Sequence, residues 1–484
     1  MTQQEALSIL KTGANVFLTG EPGSGKTHTV NQYVKYLNER GIDPAITAST
    51  GIAATHLGGV TIHSWSGIGI KTKLDKRDLG RIILNEHIEK RVRRAKVLII
   101  DEVSMLAAGT LSMVDVVCRK IKQNAEPFGG MQIVLVGDFF QLPPVVKFEA
   151  EGDRQGILID EPRVRFAYDS PAWGQAKPAV CYLTEQHRQD DGSFLSILSS
   201  IRRNVFSNNH LRSLETRKIK PNQAPDGVPK LFSLNADVDS INNKMLGKIF
   251  GEPQVFEMSS QGPRAQVAAL QKGCLSPETL YLKIGAAVMF TKNNLKEGFV
   301  NGTLGEVLGF DKESGQPIVA TRDGRRIKVL PMDWMVEENG EIRARITQLP
   351  LRLAWAITVH KSQGMSLDEA VMDLSDVFEF GQGYVALSRV RKLSGIYLLG
   401  WNERAFRVHP EILAKDEEFR AGSVGTAGEF FKMTPDNILE AHNNFIGACG
   451  GKNLSERPVS DEISSDEKVG GGRRRRGRRA GRNC

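Results

Sequence analysis

The sequence predicts an α/β protein with two parallel sheets, the second interrupted by a small β-rich insert. Short apolar runs alternate with helical or polar stretches over about residues 1–185, and the alternation resumes between Leu231 and Leu399. Between these parts the texture changes to short strands punctuated by Asn301-Gly302, Asp311–Gly315 and Asp323-Gly324. Continuous apolar strands separated by helices are the pattern of a parallel sheet covered on both faces. Asn-Gly and Asp-Gly are tight-turn dipeptides that favour antiparallel hairpins.

The first unit opens on the strand NVFLT at 15–19, followed by a glycine loop and a helix whose Val30, Tyr33, Val34 and Leu37 share one face. Its further strands are Ala45–Ala48, Val97–Ile100, Ile133–Val136 and Val180–Leu183, with a small insertion near 55–75. The second unit is expected over 186–282 and 350–410, with strands near Leu231, Leu353–Val359, Ala370–Leu374 and Ile396–Leu399. The turn-rich segment 283–349 reads as a small β-barrel inserted into it. Past about 410 the pattern weakens into an extension over 411–469. Residues 470–484 carry seven arginines among glycines, a composition that cannot bury a core and is expected to be disordered.

Composition narrows the class. A chain of 484 residues is too long for one ordinary core, and 40% hydrophobic with 25% charged residues is globular. No apolar run reaches the roughly 20 residues that span a bilayer, and the N-terminus lacks a signal-peptide pattern, so a cytosolic location is expected. The cysteines at 118, 181, 274, 449 and 484 form no CxxC pair, so no disulfide framework or structural metal is expected. Of the net charge of +8, seven units belong to the arginine tail, which leaves +1 for the body. A nucleic-acid path through the body must therefore be a local groove, while the tail is expected to bind phosphates through counterion release.

The segment Gly20-Glu-Pro-Gly23-Ser24-Gly25-Lys26-Thr27 fits GxxxxGK[ST] between a strand and a helix. Its glycines let backbone N–H groups wrap phosphates, and the helix N-terminus adds positive potential. Lys26 is expected to reach the β- and γ-phosphates of ATP, and the Thr27 hydroxyl to ligate Mg²⁺; His28 follows in the helix's first turn. The strand Val97–Ile100 ends in two carboxylates. Asp101 is expected in the Mg²⁺ shell and Glu102 as the base for the attacking water. A third strand ends in Gly137-Asp138-Phe-Phe-Gln141, where a glutamine can hydrogen-bond the γ-phosphate.

In order and spacing, these segments resemble the motifs of superfamily-one helicases, and more narrowly the PIF family (petite-integration-frequency DNA helicases) with its RecD-like relatives, over about residues 1–402. The most specific piece is Asp101-Glu102-Val-Ser-Met-Leu followed by RKIKQNAEPFGGMQIVLVGDFFQLPPV. The resemblance implies two RecA-like parallel-sheet P-loop domains, with an SH3-like β-barrel inserted in the second. It makes Gln3 or Gln4 the adenine-contacting glutamine. Thr50, Gly51 and Ala53, with His63 and Ser64, become strand-contacting elements. Arg188, in LTEQHRQ, and Arg389, in YVALSR, become the two arginines on the γ-phosphate. The segment Thr358-Val-His360-Lys361-Ser362-Gln363-Gly364 is similar to the family's fifth motif, which implies DNA contacts for Thr358, His360, Lys361 and Ser362 and nucleotide contacts for Gln363 and Gly364. The physics agrees, because guanidinium stays charged and grips phosphate bidentately, and hydroxyls and backbone N–H groups touch phosphates without reading sequence.

The implied activity is an ATP-dependent DNA helicase moving 5′-to-3′ on single-stranded DNA and unwinding duplexes or guanine quadruplexes. The implied partners are single strands and single/double-strand junctions, bound by a chain that is monomeric when free. Two other classes stay open. A P-loop kinase for a small molecule leaves the second unit and Arg389 without a use. An RNA motor is separated from a DNA motor by no residue that visibly reads a 2′-hydroxyl. Nothing recognisable follows residue 402.

Overall fold

The computed structural model describes residues 1–453 except 57, 70, 72, 145–165, 186–190, 226, 233–237, 295, 339–340, 360–361 and 363–365. The arginine tail, Arg188, His360, Lys361, Gln363 and Gly364 lie outside the described residues.

The first unit is built on a six-stranded parallel sheet of β1 (Val16–Gly20), β2 (Ala45–Ala48), β3 (Val60–Thr61), β4 (Val97–Asp101), β5 (Gln132–Val136) and β6 (Ala179–Leu183). Its order is β3-β2-β4-β5-β1-β6. Alternate residues of each strand feed opposite faces. Val16 and Leu18 join one core with Tyr33 and Leu37 of helix α2 (Lys26–Glu39) and Leu10 of helix α1 (Gln3–Lys11). Phe17, Leu98, Ile100 and Leu135 face the other core. The central strands β1 and β5 are buried throughout, which is why they read as continuous apolar runs. The two-residue edge strand β3 was not anticipated, being too short to show a period.

The second unit contains a four-stranded parallel sheet of β7 (Lys230–Phe232), β8 (Ala356–Thr358), β9 (Ala370–Leu374) and β10 (Ile396–Trp401), ordered β8-β7-β9-β10. Its expected strands are all present.

The antiparallel region departs from the expected insert. A five-stranded sheet joins Arg326–Lys328, Pro317–Thr321, Leu304–Phe310, Ala287–Phe290 and Leu351–Leu353, and the turns at Asp311–Gly315 and Asp323-Gly324 close its hairpins. A separate three-stranded sheet pairs Met332–Glu338, Glu341–Gln348 and Ser259–Gln261. Antiparallel pairing thus begins at Gln254, where Gln254–Glu257 meets Thr279–Leu282, and ends at Leu353, well outside 283–349. The Ser-Ser-Gln strand is exposed at every position, so it carries no alternation to find.

The extension, left open by the sequence, is helical over much of its length. Residues Pro410–Phe430 and Pro435–Ala448 form two helices that dock on the first unit. Ser423 Oγ accepts from the Tyr182 N–H at 3.0 Å, closing part of the free edge of β6. Phe419 packs among Phe17, Phe139 and Trp173, with its ring centroid 4.8 Å from that of Phe17. On the opposite face, Ile446 joins the α1–α2 core and His442 Nε2 lies 2.9 Å from the Ser8 carbonyl. Truncating an aromatic in such a cluster costs about 3–5 kcal/mol. Phe419→Ala is therefore expected to lower the unfolding free energy of the first unit by that amount, read as a lower urea midpoint at unchanged slope. An unchanged midpoint would mean the helix is not anchored there.

Among the described residues, no helix is long and apolar enough to cross a membrane.

Candidate active site

The loop 20–27 leaves β1 and turns into α2 through glycines in the left-handed region, Gly23 and Gly25 both at φ +88°. The left-handed backbone at Gly25 strains any side chain, and a Cβ there would also displace the Gln3 amide, 2.0 Å away. Gln3 Nε2 donates to the Ser24 carbonyl at 3.2 Å, and the Gln3 N–H donates to Glu185 at 2.7 Å. Gln4 is exposed. The helix α1 therefore turns Gln3, and not Gln4, toward the loop.

Lys26 Nζ donates to the carbonyls of Gly20 at 2.8 Å and Glu21 at 3.2 Å, folding the ammonium back into the loop. Burial pulls its pKa below the ordinary lysine value, while the charges of Asp138, Glu102 and Asp101 act against that shift. Thr27 and His28 are exposed at the start of α2, where His28 meets Gln32 at 2.8 Å. The Ser24 hydroxyl is buried without a hydrogen-bond partner among the described residues.

The two carboxylates at the end of β4 sit opposite this loop. The Asp101 carboxyl is pushed up to about 7 by burial and by the neighbouring Glu102, with Lys26 pulling the other way. Its Oδ1 accepts from the Glu102 N–H at 2.9 Å. Glu102 adopts φ 51°, ψ 44°, a left-handed conformation that costs a non-glycine residue about 1–2 kcal/mol. Ser49 holds it there: its Oγ donates to the Glu102 carbonyl at 2.8 Å, while its N–H donates to the Asp101 carbonyl at 3.1 Å. Gln141, beyond β5, is buried.

A buried arginine of the second unit lies within electrostatic range of this site. Arg389 follows the short helix Gln382–Leu387 and is 2% exposed. Its Nε donates to the Val385 carbonyl at 3.0 Å and its Nη2 to Ser388 Oγ at 2.9 Å. Burial lowers its pKa, and the carboxylate that most opposes this is Glu102. Among the described residues no acid lies within ion-pair distance of it. A desolvated guanidinium within electrostatic range of Glu102, and held among the described residues by neutral groups, has spare capacity for an anion.

Mg²⁺ in a P-loop takes few protein ligands and completes its shell with phosphate and water. The exposed Thr27 hydroxyl and the Asp101 carboxylate fit that donor set, and no larger cluster of acids or histidines is needed.

The expected strand-contact residues divide. Thr50 and Gly51 open the short helix α3 (Gly51–His56) after β2, and Thr50 Oγ1 accepts from the Ala53 N–H at 3.3 Å. The Ala53 side chain is buried, so it offers only backbone. His63 is half-buried, its pKa lowered by burial, and Ser64 beside it is exposed. Thr358 is half-buried at the end of β8. Ser362 is fully buried, and its hydroxyl donates to the Val359 carbonyl at 2.7 Å, so its side chain is not available to a strand. Gly51 lies against Gly273, where a Cβ would come within 2.9 Å of Gly273 Cα. The start of α3 is thereby packed on the helix Arg264–Gly273.

The sequence reading missed Arg202 and the residues around it. This guanidinium is 1% exposed and donates to both carboxylate oxygens of Asp138 at 2.8 Å. A signal was present. Phe194, Ile197, Leu198 and Ile201 form the buried face of their helix, and Arg202 continues that face.

The chain matches the PIF1-like helicase family over residues 3–208 and the 2B domain of DNA helicase Pif1 over residues 267–310. It is 40% identical to the ATP-dependent DNA helicase Pif1 of Psychrobacter sp., over 93% of this chain and 75% of that relative. Among solved structures, Bacteroides sp. Pif1 in complex with ADP-AlF4 is similar at 30% identity and a TM-score of 0.74, covering 87% of this chain and 96% of that one. The Bacteroides Pif1 bound to single-stranded DNA is similar at 30% identity and a TM-score of 0.58, covering 88% and 97%.

Proposed function

This chain is a member of the PIF1-like helicase family, and we propose that it hydrolyses ATP at the 20–27 loop to move 5′-to-3′ along single-stranded DNA and unwind the duplex ahead. One observation supports the motor reading over a static ATPase: the helix that leads to the buried Arg389 in one parallel-sheet unit packs on the loop that carries Gln141 in the other, with the Phe140 and Tyr384 ring centroids 6.5 Å apart. Loss of the γ-phosphate then weakens a contact between units and becomes motion.

The roles follow from the geometry. Lys26 exchanges its two loop carbonyls for the β- and γ-phosphate oxygens. Glu102, fixed by Ser49, accepts the proton of the attacking water. Arg389 stabilises charge on the transferring phosphoryl group. Gln141 hydrogen-bonds the γ-phosphate, and Gln3 supports the loop from the adenine side. Thr27 and Asp101 would hold Mg²⁺, which when bound would neutralise phosphate charge. Thr50, Gly51, His63, Ser64 and Thr358 offer hydroxyl, imidazole and backbone donors to phosphates and sugars, which suits movement without sequence preference. The antiparallel region is assigned the part of the SH3-like insert.

Forked duplexes with a 5′ tail, a 3′ tail or an RNA tail, assayed beside a guanine quadruplex, test this reading. Unwinding is expected from the 5′ tail and little from the 3′ tail, with ATP turnover stimulated by single strands. A preference for the 3′ tail would overturn the direction. Absence of stimulation would overturn the motor.

A further inference from the structure

Side chains from four elements converge on one buried guanidinium. Arg202 ends helix α4 (Gly192–Arg202). Its Nη1 donates to both oxygens of Asp138 and, at 3.3 Å, to the Tyr384 hydroxyl. Its Nη2 donates to the Tyr182 hydroxyl at 2.8 Å and to Asp416 Oδ1 at 3.2 Å. The Phe140 ring covers one face of the plane at 4.1 Å. Nε is buried and makes no hydrogen bond among the described residues, so the orientation is set through the two Nη groups.

The partners stand at informative places. Asp138 begins the loop that carries Gln141. Tyr384 lies in helix α5 (Gln382–Leu387), five residues before Arg389. Asp416 belongs to helix α6 (Pro410–Phe430), outside both segments matched to the family. Arg420, one turn on, donates to Asp416 Oδ2 at 2.7 Å and to the Tyr182 hydroxyl at 2.6 Å, so two arginines balance two carboxylates. Buried charge networks hold their geometry strongly, because an unmatched member is costly. The same network is felt at the phosphate loop, since Asp138 and Arg202 both act on the Lys26 ammonium.

We propose that helix α6 is a coupling element of the motor, with Asp416 a positioning residue that, together with Asp138, fixes Arg202 between the γ-phosphate loop and the helix leading to Arg389. A change at the nucleotide then moves α4, α5 and the loop as one body. The idea rests on the helicase reading above, and it assigns the C-terminal extension a part in transmission beyond its part in stability.

The test is ATP turnover of the full chain with and without saturating oligo-dT, for wild type, Asp416→Asn and Tyr182→Phe. Asp416→Asn keeps the shape and removes the charge; Tyr182→Phe keeps the ring and removes the shared hydroxyl. Both are expected to leave the DNA-free rate, the ATP KM and the oligo-dT Kd within twofold of wild type. The DNA-stimulated kcat should fall about tenfold for Asp416→Asn and less for Tyr182→Phe. If Asp416→Asn does not fold, Tyr182→Phe decides alone. Lowered melting temperatures with full stimulation would make α6 a structural anchor and overturn the proposal. Equal loss of basal and stimulated rates would also overturn it, by moving the network into the chemistry. A wild type that oligo-dT does not stimulate would instead defeat the helicase reading on which the proposal rests.

Discussion

Glu102→Gln is expected to bind ATP and turn it over about 10²–10⁴-fold more slowly, because the amide keeps the side chain's length but cannot take a proton from water. The left-handed backbone at Glu102 and its Ser49 contacts should survive, since they involve main-chain atoms. Lys26→Ala is expected to fail earlier. Lys26 braces the loop through the carbonyls of Gly20 and Glu21 and supplies its point charge, so its loss removes both preorganisation and phosphate attraction. Equilibrium binding of a fluorescent ATP analogue, beside single-turnover hydrolysis, separates the two variants: binding retained for Glu102→Gln and lost for Lys26→Ala. Wild-type hydrolysis by Glu102→Gln would mean that another group accepts the proton.

What was legible in the sequence was what is locally encoded. The strands Val16–Gly20, Val97–Asp101 and Gln132–Val136 are apolar because helices cover both their faces, and each ends in a motif whose spacing identifies it. The insert's hairpins were legible from their turn dipeptides, but its limits were not, because pairing of Ser259–Gln261 with Thr347–Arg345 is a long-range event between polar segments. Helix α6 shows a different failure. Its buried positions Ile412, Asp416, Phe419 and Ser423 follow a helical spacing, yet two of the four are polar, so the hydrophobic period is hidden. Those two polar residues are the ones that bond Tyr182. Arg202 was hidden for a related reason: an arginine at the end of an apolar face reads as a solvated cap until Asp138, 64 residues earlier, is placed against it.

Arg389→Ala is expected to cut DNA-stimulated turnover by roughly 10³–10⁵, the range for arginine fingers in P-loop enzymes, while fold and DNA binding stay close to wild type. The contrast with Arg202 gives this its force. Both guanidiniums are buried, but Arg202 is matched by Asp138 and Asp416, and breaking such a pair costs about 3–5 kcal/mol. Among the described residues Arg389 bonds only the Val385 carbonyl and Ser388 Oγ, so no carboxylate described repays its desolvation. Removing it should leave the melting temperature nearly unchanged, because relief of a buried charge offsets the cavity. Arg389→Lys keeps a charge but not the planar fork, and should recover only part of the rate. Turnover, melting temperature and oligo-dT affinity measured on one preparation check all of this. A two- or three-fold loss of rate, or a loss of stability like that expected on breaking the Arg202 pair, would make Arg389 a structural arginine.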